Sequence, residues 1–100
     1  MNIVKLNNGK VELRNERGLF IRLIGNGNAV YADINHDGTL IIVTLATGKV
    51  ELRKDSGLFI RNIGAGDALS ARFSGSDILV DTKKGKKELR KENGLFVRLI

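Results

Sequence analysis

The chain has no cysteine, no proline and no tryptophan, and only one histidine among its 100 residues. Without cysteine it can form no disulfide framework, thiolate metal site or thiol nucleophile. Its longest unbroken apolar run, residues 40–43, is far shorter than the roughly 20 residues of a membrane-spanning helix. The first residues lack a basic segment followed by an apolar one, so we expect no signal peptide and, by default, a cytoplasmic protein.

The composition is that of one small folded domain with excess positive charge. Hydrophobic residues make up 42% of the chain, which is too many for a disordered segment. Lysine and arginine number 17 against 11 acidic residues, a net charge of +6. One hundred residues suffice for one domain, and we expect residues 1–100 to form a single repeat domain.

The sequence repeats itself. Gly-Lys-Val-Glu-Leu-Arg occurs at residues 9–14 and 48–53 and returns as Gly-Lys-Lys-Glu-Leu-Arg at 85–90, each followed by Gly-Leu-Phe. The copies begin 39 and 37 residues apart, and 15 of 22 positions are identical between residues 9–30 and 48–69. A period of this length indicates repeated supersecondary units.

Each unit is predicted to hold four antiparallel strands, A to D. The motif alternates apolar and charged residues as half-buried strands do, and glycines punctuate the chain every eight to twelve residues. In the middle unit the predicted strands are 29–35, 39–45, 49–53 and 58–63. Aligning Ile3 with Ile42 starts the chain in strand B and gives eleven strands in the order B-C-D, A-B-C-D, A-B-C-D. The predicted fold is therefore all-β, with a partial unit at 1–27 and complete units at 28–66 and 67–100.

The unit resembles a WD-repeat blade of a β-propeller. Ala-Val-Tyr-Ala-Asp-Ile at 29–34 is similar to the innermost strand of such a blade, Asn-His-Asp-Gly at 35–38 to its A–B turn, and residues 48–53 to its Gly-x-Val-x-Leu strand. Arg53 and Lys54 stand where that family has Trp-Asp, and its Gly-His pair is missing. The resemblance implies a propeller whose surface binds partners. We expect no cofactor.

The number of units raises a question of closure. A propeller needs about four to eight blades, and eleven strands make about two and three-quarter blades. An open arc would leave apolar faces and strand edges uncovered, so we expect a homo-oligomer. Two copies supply six blade equivalents, which favours a dimer. A β-trefoil monomer, which needs twelve strands in three pseudo-repeats, is the alternative fold.

Lysines concentrate on one predicted face, the face of the D–A and B–C loops. Such a face attracts an acidic protein, an acidic glycan or another polyanion, although lysines near turns also serve solubility and block edge pairing. With only five aromatic residues, specific nucleic-acid readout is not expected. The candidate anion patch consists of Lys83, Lys84, Lys86 and Lys87.

The D–A loops, Gly-Asn-Gly-Asn at 25–28 and Gly-Ala-Gly-Asp at 64–67, are tight turns that could also present polar groups to a ligand. Equivalent loops around a ring suit multivalent weak binding, as in propeller lectins. The candidate ligand-binding residues are Asn26, Asn28, Asp67, Lys10, Lys49 and Lys86.

Three further expectations concern side-chain packing. The repeated Glu-x-Arg of strand C is expected to form charge ladders with neighbouring strands. Asp33 and Arg72, at equivalent positions of two inner strands, are candidates for a pair. The phenylalanine that follows each Gly-Leu is expected to face the core; these residues are Phe20, Phe59 and Phe96.

No constellation for catalysis or metal binding is present. His36 is the only histidine, and no second histidine or cysteine can complete a metal site with it. No serine lies in a Gly-x-Ser-x-Gly frame. The sequence therefore predicts a non-catalytic binding or assembly module that forms a homo-oligomeric ring, with a carbohydrate-binding propeller as the alternative.

Overall fold

A computed structural model describes all residues, 1–100, and contains eleven strands, as predicted. The strands are β1 (Ile3–Asn7), β2 (Lys10–Arg14), β3 (Phe20–Ile24), β4 (Ala29–Ile34), β5 (Leu40–Leu45), β6 (Val50–Lys54), β7 (Phe59–Ile63), β8 (Ala68–Ser74), β9 (Asp77–Thr82), β10 (Lys87–Arg90) and β11 (Phe96–Leu99). The structure contains no helix that is long and apolar enough to cross a membrane.

The strands form three separate antiparallel sheets. The first sheet has the order β1-β2-β3, the second β4-β5-β6-β7 and the third β8-β9-β10-β11. Every neighbouring pair is joined by a hairpin, so each sheet is a simple meander. The strands do not close into one barrel, and this agrees with blade-like units rather than with a trefoil.

The sheets stack face to face, and the core lies between them. One apolar cluster joins the first two sheets and contains Leu13 of β2 and Ile41 of β5. The other joins the second and third sheets and contains Leu52 of β6 and Ile78 of β9. We call the face of a sheet that points to the next sheet in the chain its forward face, and the opposite face its backward face. The second sheet is covered on both faces, by the first sheet and by the third.

The predicted alignment of β1 is wrong by one residue. Val4 pairs with Leu13 in the first sheet, as Ile42 pairs with Leu52 in the second, so Val4 rather than Ile3 corresponds to Ile42. The cause is the turn. Asn8 and Gly9, both with positive φ, make a two-residue hairpin loop, whereas the corresponding loop after β5 has one residue more. A shift of one residue moves each side chain of β1 to the other face.

Backbone hydrogen bonds tie successive sheets together near the B–C turns. Ala29 N–H donates to the carbonyl of Gly9 at 2.8 Å, and Ala68 N–H donates to the carbonyl of Gly48 at 2.9 Å. The inner strands are linked as well, but the expected pair of Asp33 with Arg72 is not formed. Asp33 instead accepts a hydrogen bond from the backbone N–H of Phe73 at 2.8 Å.

Gly48 must be glycine for reasons of space. A Cβ at this position would overlap the carbonyl oxygen of Gly66, because the B–C turn passes directly against the D–A loop of the same sheet. Gly85 holds the same place in the third sheet and also has a positive φ, but nothing lies within 4 Å of its would-be Cβ. The two glycines thus share a backbone conformation and differ in their surroundings.

This difference predicts unequal effects of the same substitution. Gly85→Ala is expected to lower the free energy of unfolding by about 1–2 kcal/mol, the strain of a side chain at positive φ. Gly48→Ala is expected to lower it by a further 1–3 kcal/mol or so, because a backbone carbonyl must move. Urea denaturation measures both values, and equal losses for the two variants would contradict this packing.

Candidate functional site

The D–A and B–C loops meet on one face of the stack, as their predicted order requires; we call this the loop face. Within the second sheet, Ala46 N–H donates to the carbonyl of Asn28 at 2.9 Å. Within the third, Lys83 N–H donates to the carbonyl of Asp67 at 2.8 Å. These bonds hold each D–A loop against the B–C turn that follows it in the chain.

Two equivalent pockets open beside the D–A loops. The first, of about 120 Å³, is lined by Lys10, Val11, Leu23, Ile24, Gly25, Asn26 and Gly27. The second, of about 190 Å³, is lined by Lys49, Val50, Asn62, Ile63, Gly64, Ala65 and Gly66. Each combines a lysine, two buried apolar residues and a glycine-rich loop. Both are smaller than the few hundred Å³ of a drug-sized site, so they fit a small group or one unit of a longer ligand.

The pockets bring together some of the predicted ligand-binding residues. Lys10 and Asn26 line the first, and Lys49 lines the second, where Ala65 occupies the position of Asn26. Asn28 and Asp67 line neither, and their backbone carbonyls hold the neighbouring turns.

Three of the four patch lysines lie together around the β9–β10 turn, where Lys83, Lys84 and Lys86 are exposed. Lys86 lines neither pocket. Lys87 differs from them because it lies in β10 and pairs with the carboxylate of Asp81 at 3.7 Å. Its charge is therefore partly matched within the sheet.

The repeated Glu-x-Arg pairs form within a strand and not across strands, so the expected ladders are wrong. Nε of Arg53 donates to the carboxylate of Glu51 at 3.0 Å, and Nε of Arg90 donates to the carboxylate of Glu88 at 3.1 Å. Arg14 likewise binds Glu12. Residues two apart on a strand point to the same face, which permits this short contact.

Each of these arginines also clamps the turn that follows. The guanidinium of Arg53 donates to the carbonyl of Gly57 at 2.8 Å and lies 5.5 Å from the ring centre of Phe59. The same contacts recur in the third sheet, where Arg90 binds Gly94 at 3.0 Å and lies 5.5 Å from Phe96. The clamp thus joins a carboxylate, a turn carbonyl and an aromatic face through one cation.

The phenylalanines do not face the core, contrary to expectation. Phe20, Phe59 and Phe96 are 53%, 43% and 46% exposed, with one side of each ring against its arginine. The leucine before each of them is 60% exposed. The sequence reasoning missed these exposed apolar pairs, although Gly-Leu-Phe is repeated directly after a turn in each sheet.

The turn that holds His36 is a structural one. Asp37 accepts hydrogen bonds from the hydroxyl of Thr39 at 2.6 Å and from its backbone N–H at 3.1 Å, and these bonds hold the pKa of Asp37 below its usual value. His36 is exposed. No three histidine or acidic side chains lie close enough to hold a metal ion.

Comparison with known proteins shows what fold these sheets belong to. No protein-family model matches the sequence, and no curated protein matches it. Two WD40-type structures are similar in fold. The WD40 domain of Pan2 from Neurospora crassa has a TM-score of 0.73 at 15% identity, with 99% of this chain covered and 32% of that one. Sqt1 from Saccharomyces cerevisiae has a TM-score of 0.72 at 16% identity, with coverage of 93% and 29%.

The chain therefore has the fold of part of a WD40-like β-propeller, and it spans about a third of the length of these two proteins. Each four-stranded sheet has the place of a blade. At such identity the likeness concerns the fold alone, and the Glu–Arg–Phe clamp is the feature that this chain has at the strand where WD repeats carry Trp-Asp.

The clamp predicts a titration that can be followed directly. The hydrogen bond from Arg14 holds the pKa of Glu12 below its ordinary value of 4.5. In Arg14→Gln the pKa is expected to rise toward 4.5, as measured by NMR of the Glu12 carboxyl carbon. The pKa of Glu12 is lower in the folded than in the unfolded state. The Glu12–Arg14 pair therefore contributes its full stability above pH 4.5, and this contribution is lost as pH falls through the folded-state pKa. An unchanged pKa in the variant would contradict the clamp.

Proposed function

We propose that this protein is a non-catalytic binding and assembly module. Residues 1–100 act as one domain of blade-like sheets that joins with further copies of itself into a propeller ring. The loop face of that ring binds an acidic partner. The supporting observation is the stack itself, in which the sheets bring the lysine-bearing B–C turns to one side of the molecule.

Electrostatics supports an acidic partner for the loop face. Lys83, Lys84 and Lys86 are exposed, and no carboxylate of the chain lies within salt-bridge distance of them. Lys10 and Lys49 extend the same face over the first two sheets and are exposed as well. Unpaired like charges on one surface attract polyanions through long-range potential and the release of counterions.

A matched pair of triple variants tests this assignment. Replacing Lys83, Lys84 and Lys86 with glutamine is expected to weaken binding to heparin. The slope of log affinity against log salt should fall by up to about three, roughly one for each lysine removed. The control variant replaces Arg17, Lys54 and Lys91, which lie at the turns on the opposite side. Equal losses in the two variants would show attraction by net charge alone and would refute a loop-face site.

A second candidate function, glycan binding, rests on the first pocket. Lys10 and Asn26 lie on its rim, and buried apolar residues form its floor, a combination that suits one sugar unit with a polar edge and an apolar face. The second pocket repeats the arrangement one sheet away, so a chain of sugars could contact both.

Asn26→Ala separates this function from the first. The variant is expected to lose binding on a glycan array while its assembly state and heparin affinity stay unchanged, because the side chain is exposed at the pocket rim. Ser76→Ala, at the turn between β8 and β9, is the control. If the wild-type protein gives no signal on the array, the glycan-binding hypothesis is wrong, and the polyanion-binding hypothesis is unaffected.

A further inference from the structure

The outward faces of the first and third sheets are uncovered, and each carries apolar and charged residues. Resting on the ring assembly proposed above, we propose that the forward face of the third sheet docks on the backward face of the first sheet of a second copy. The contact is head to tail, so it uses two different surfaces and can repeat around a ring. Its specificity comes from a charge pair between Asp81 and Lys5.

The interface between the second and third sheets is the template for this contact. There Val50, on the forward face of the second sheet, packs in one cluster with Val80, on the backward face of the third. The third sheet continues the pattern on its own forward face. Leu79 and Leu89 pair across β9 and β10 there, as Ile42 and Leu52 pair in the second sheet.

This forward face is apolar but has no partner in the chain. Leu79 and Leu89 are half-buried, and Ile100, which corresponds to the fully buried Ile63, is 66% exposed. On the backward face of the first sheet, Ile3 lies in the register of the buried Ile41 and is also exposed. Both surfaces therefore present apolar positions that are buried wherever a neighbouring sheet is present.

Both surfaces carry charged residues at positions where the middle sheet has valine or threonine. In the second sheet the opposed residues Thr44 and Val50 are fully buried; in the third sheet Asp81 and Lys87 take their places. In the first sheet Lys5 lies opposite Glu12, as Val43 lies opposite Glu51, so Lys5 has the register of Val43 and Val80.

Repeating the template between two copies puts Lys5 in the place of Val80 and Lys87 in the place of Val50, with Asp81 paired to Lys87 beside them. Asp81 then lies between two ammonium groups, its own Lys87 at 3.7 Å and Lys5 of the second copy. A carboxylate covered by a neighbouring sheet needs such compensation. Glu12, which lies opposite Lys5 on the neighbouring strand, forms its salt bridge with Arg14.

The first sheet has no inner strand, and this sets the strength of the contact. In the template, β8 supplies Ala68 and Ala71 to the shared cluster, and the first sheet has nothing in their place. The contact between copies is therefore smaller than an internal interface, and its charge pair carries a larger share of the specificity. We expect an association that depends on protein concentration and weakens as salt is raised.

Charge exchange tests the register of the contact. Lys5→Asp and Asp81→Lys are each expected to weaken self-association, measured by sedimentation, by roughly tenfold or more, because an attraction becomes a repulsion. The double variant, with the two charges exchanged, is expected to recover association. Lys54→Asp, a charge change of equal size at an exposed position of the middle sheet, is the control, and the thermal midpoint of each variant verifies folding.

Engineered cysteines give a second, independent measurement. The chain has no cysteine of its own, so Ile3→Cys with Leu79→Cys in one chain can form disulfides only between the introduced residues. They lie on opposite ends of the stack, and oxidation is expected to give cross-linked chains rather than a closed monomer. Thr47→Cys with Leu79→Cys is the matched control and should stay uncross-linked.

The outcomes separate this contact from the assembly on which it rests. A wild-type protein that stays monomeric at every concentration would overturn the ring and the contact together. A wild-type oligomer in which the charge variants behave like Lys54→Asp, or in which the exchanged pair fails to recover, would overturn the contact alone. Recovery together with cross-linking of residues 3 and 79 would establish it.

Discussion

A sheet that is apolar on both faces is stable only between two neighbours, and the middle sheet of this protein is such a sheet. In β5, Ile41 and Val43 point to the first sheet and Ile42 points to the third, and all three are fully buried. The apolar run at residues 40–43 follows from that position, because a strand covered on both sides has no face exposed to water. The apolar residues on both faces of the middle sheet thus require the sheets to stack face to face.

The same constraint explains how the ends of the stack differ from its centre. Positions that are valine or threonine inside the stack become Lys5, Asp81 and Lys87 at its ends. Repeat proteins commonly carry polar residues on their terminal faces, since an apolar end would aggregate. Here one end carries Lys5 and the other carries the Asp81–Lys87 pair, and in the proposed contact Asp81 is the carboxylate between the two lysines.

The outer edge of each sheet is organised by an arginine instead of a tryptophan. Arg53 binds the carboxylate of Glu51, the carbonyl of Gly57 and the ring of Phe59. Its side chain is 11% exposed, whereas that of Arg14, which has no preceding sheet, is 26% exposed. The repeated clamp places a cation against one side of each phenylalanine ring at the surface.

Most of the fold could be predicted from the sequence because strand alternation and glycine turns are local signals. The strand count, the strand order and the side on which the loops meet all follow from them. The register of β1 could not, since a two-residue and a three-residue loop fit Asn7-Asn8-Gly9 equally well. The exposure of Phe59 was missed because a bulge opposite Arg53 turns the ring toward that side chain, and a bulge leaves no trace in the apolar pattern. The pockets depend on how loops pack across the sheet, which only the folded chain defines.

Self-association is the central claim, and light scattering on a sizing column tests it most directly. Run over a range of protein concentrations, the wild-type protein is predicted to show a discrete mass that is a multiple of 11.0 kDa. Two copies are the favoured number. A mass of 11.0 kDa at every concentration would contradict the account, because the apolar ends of the stack would then remain uncovered without a second copy.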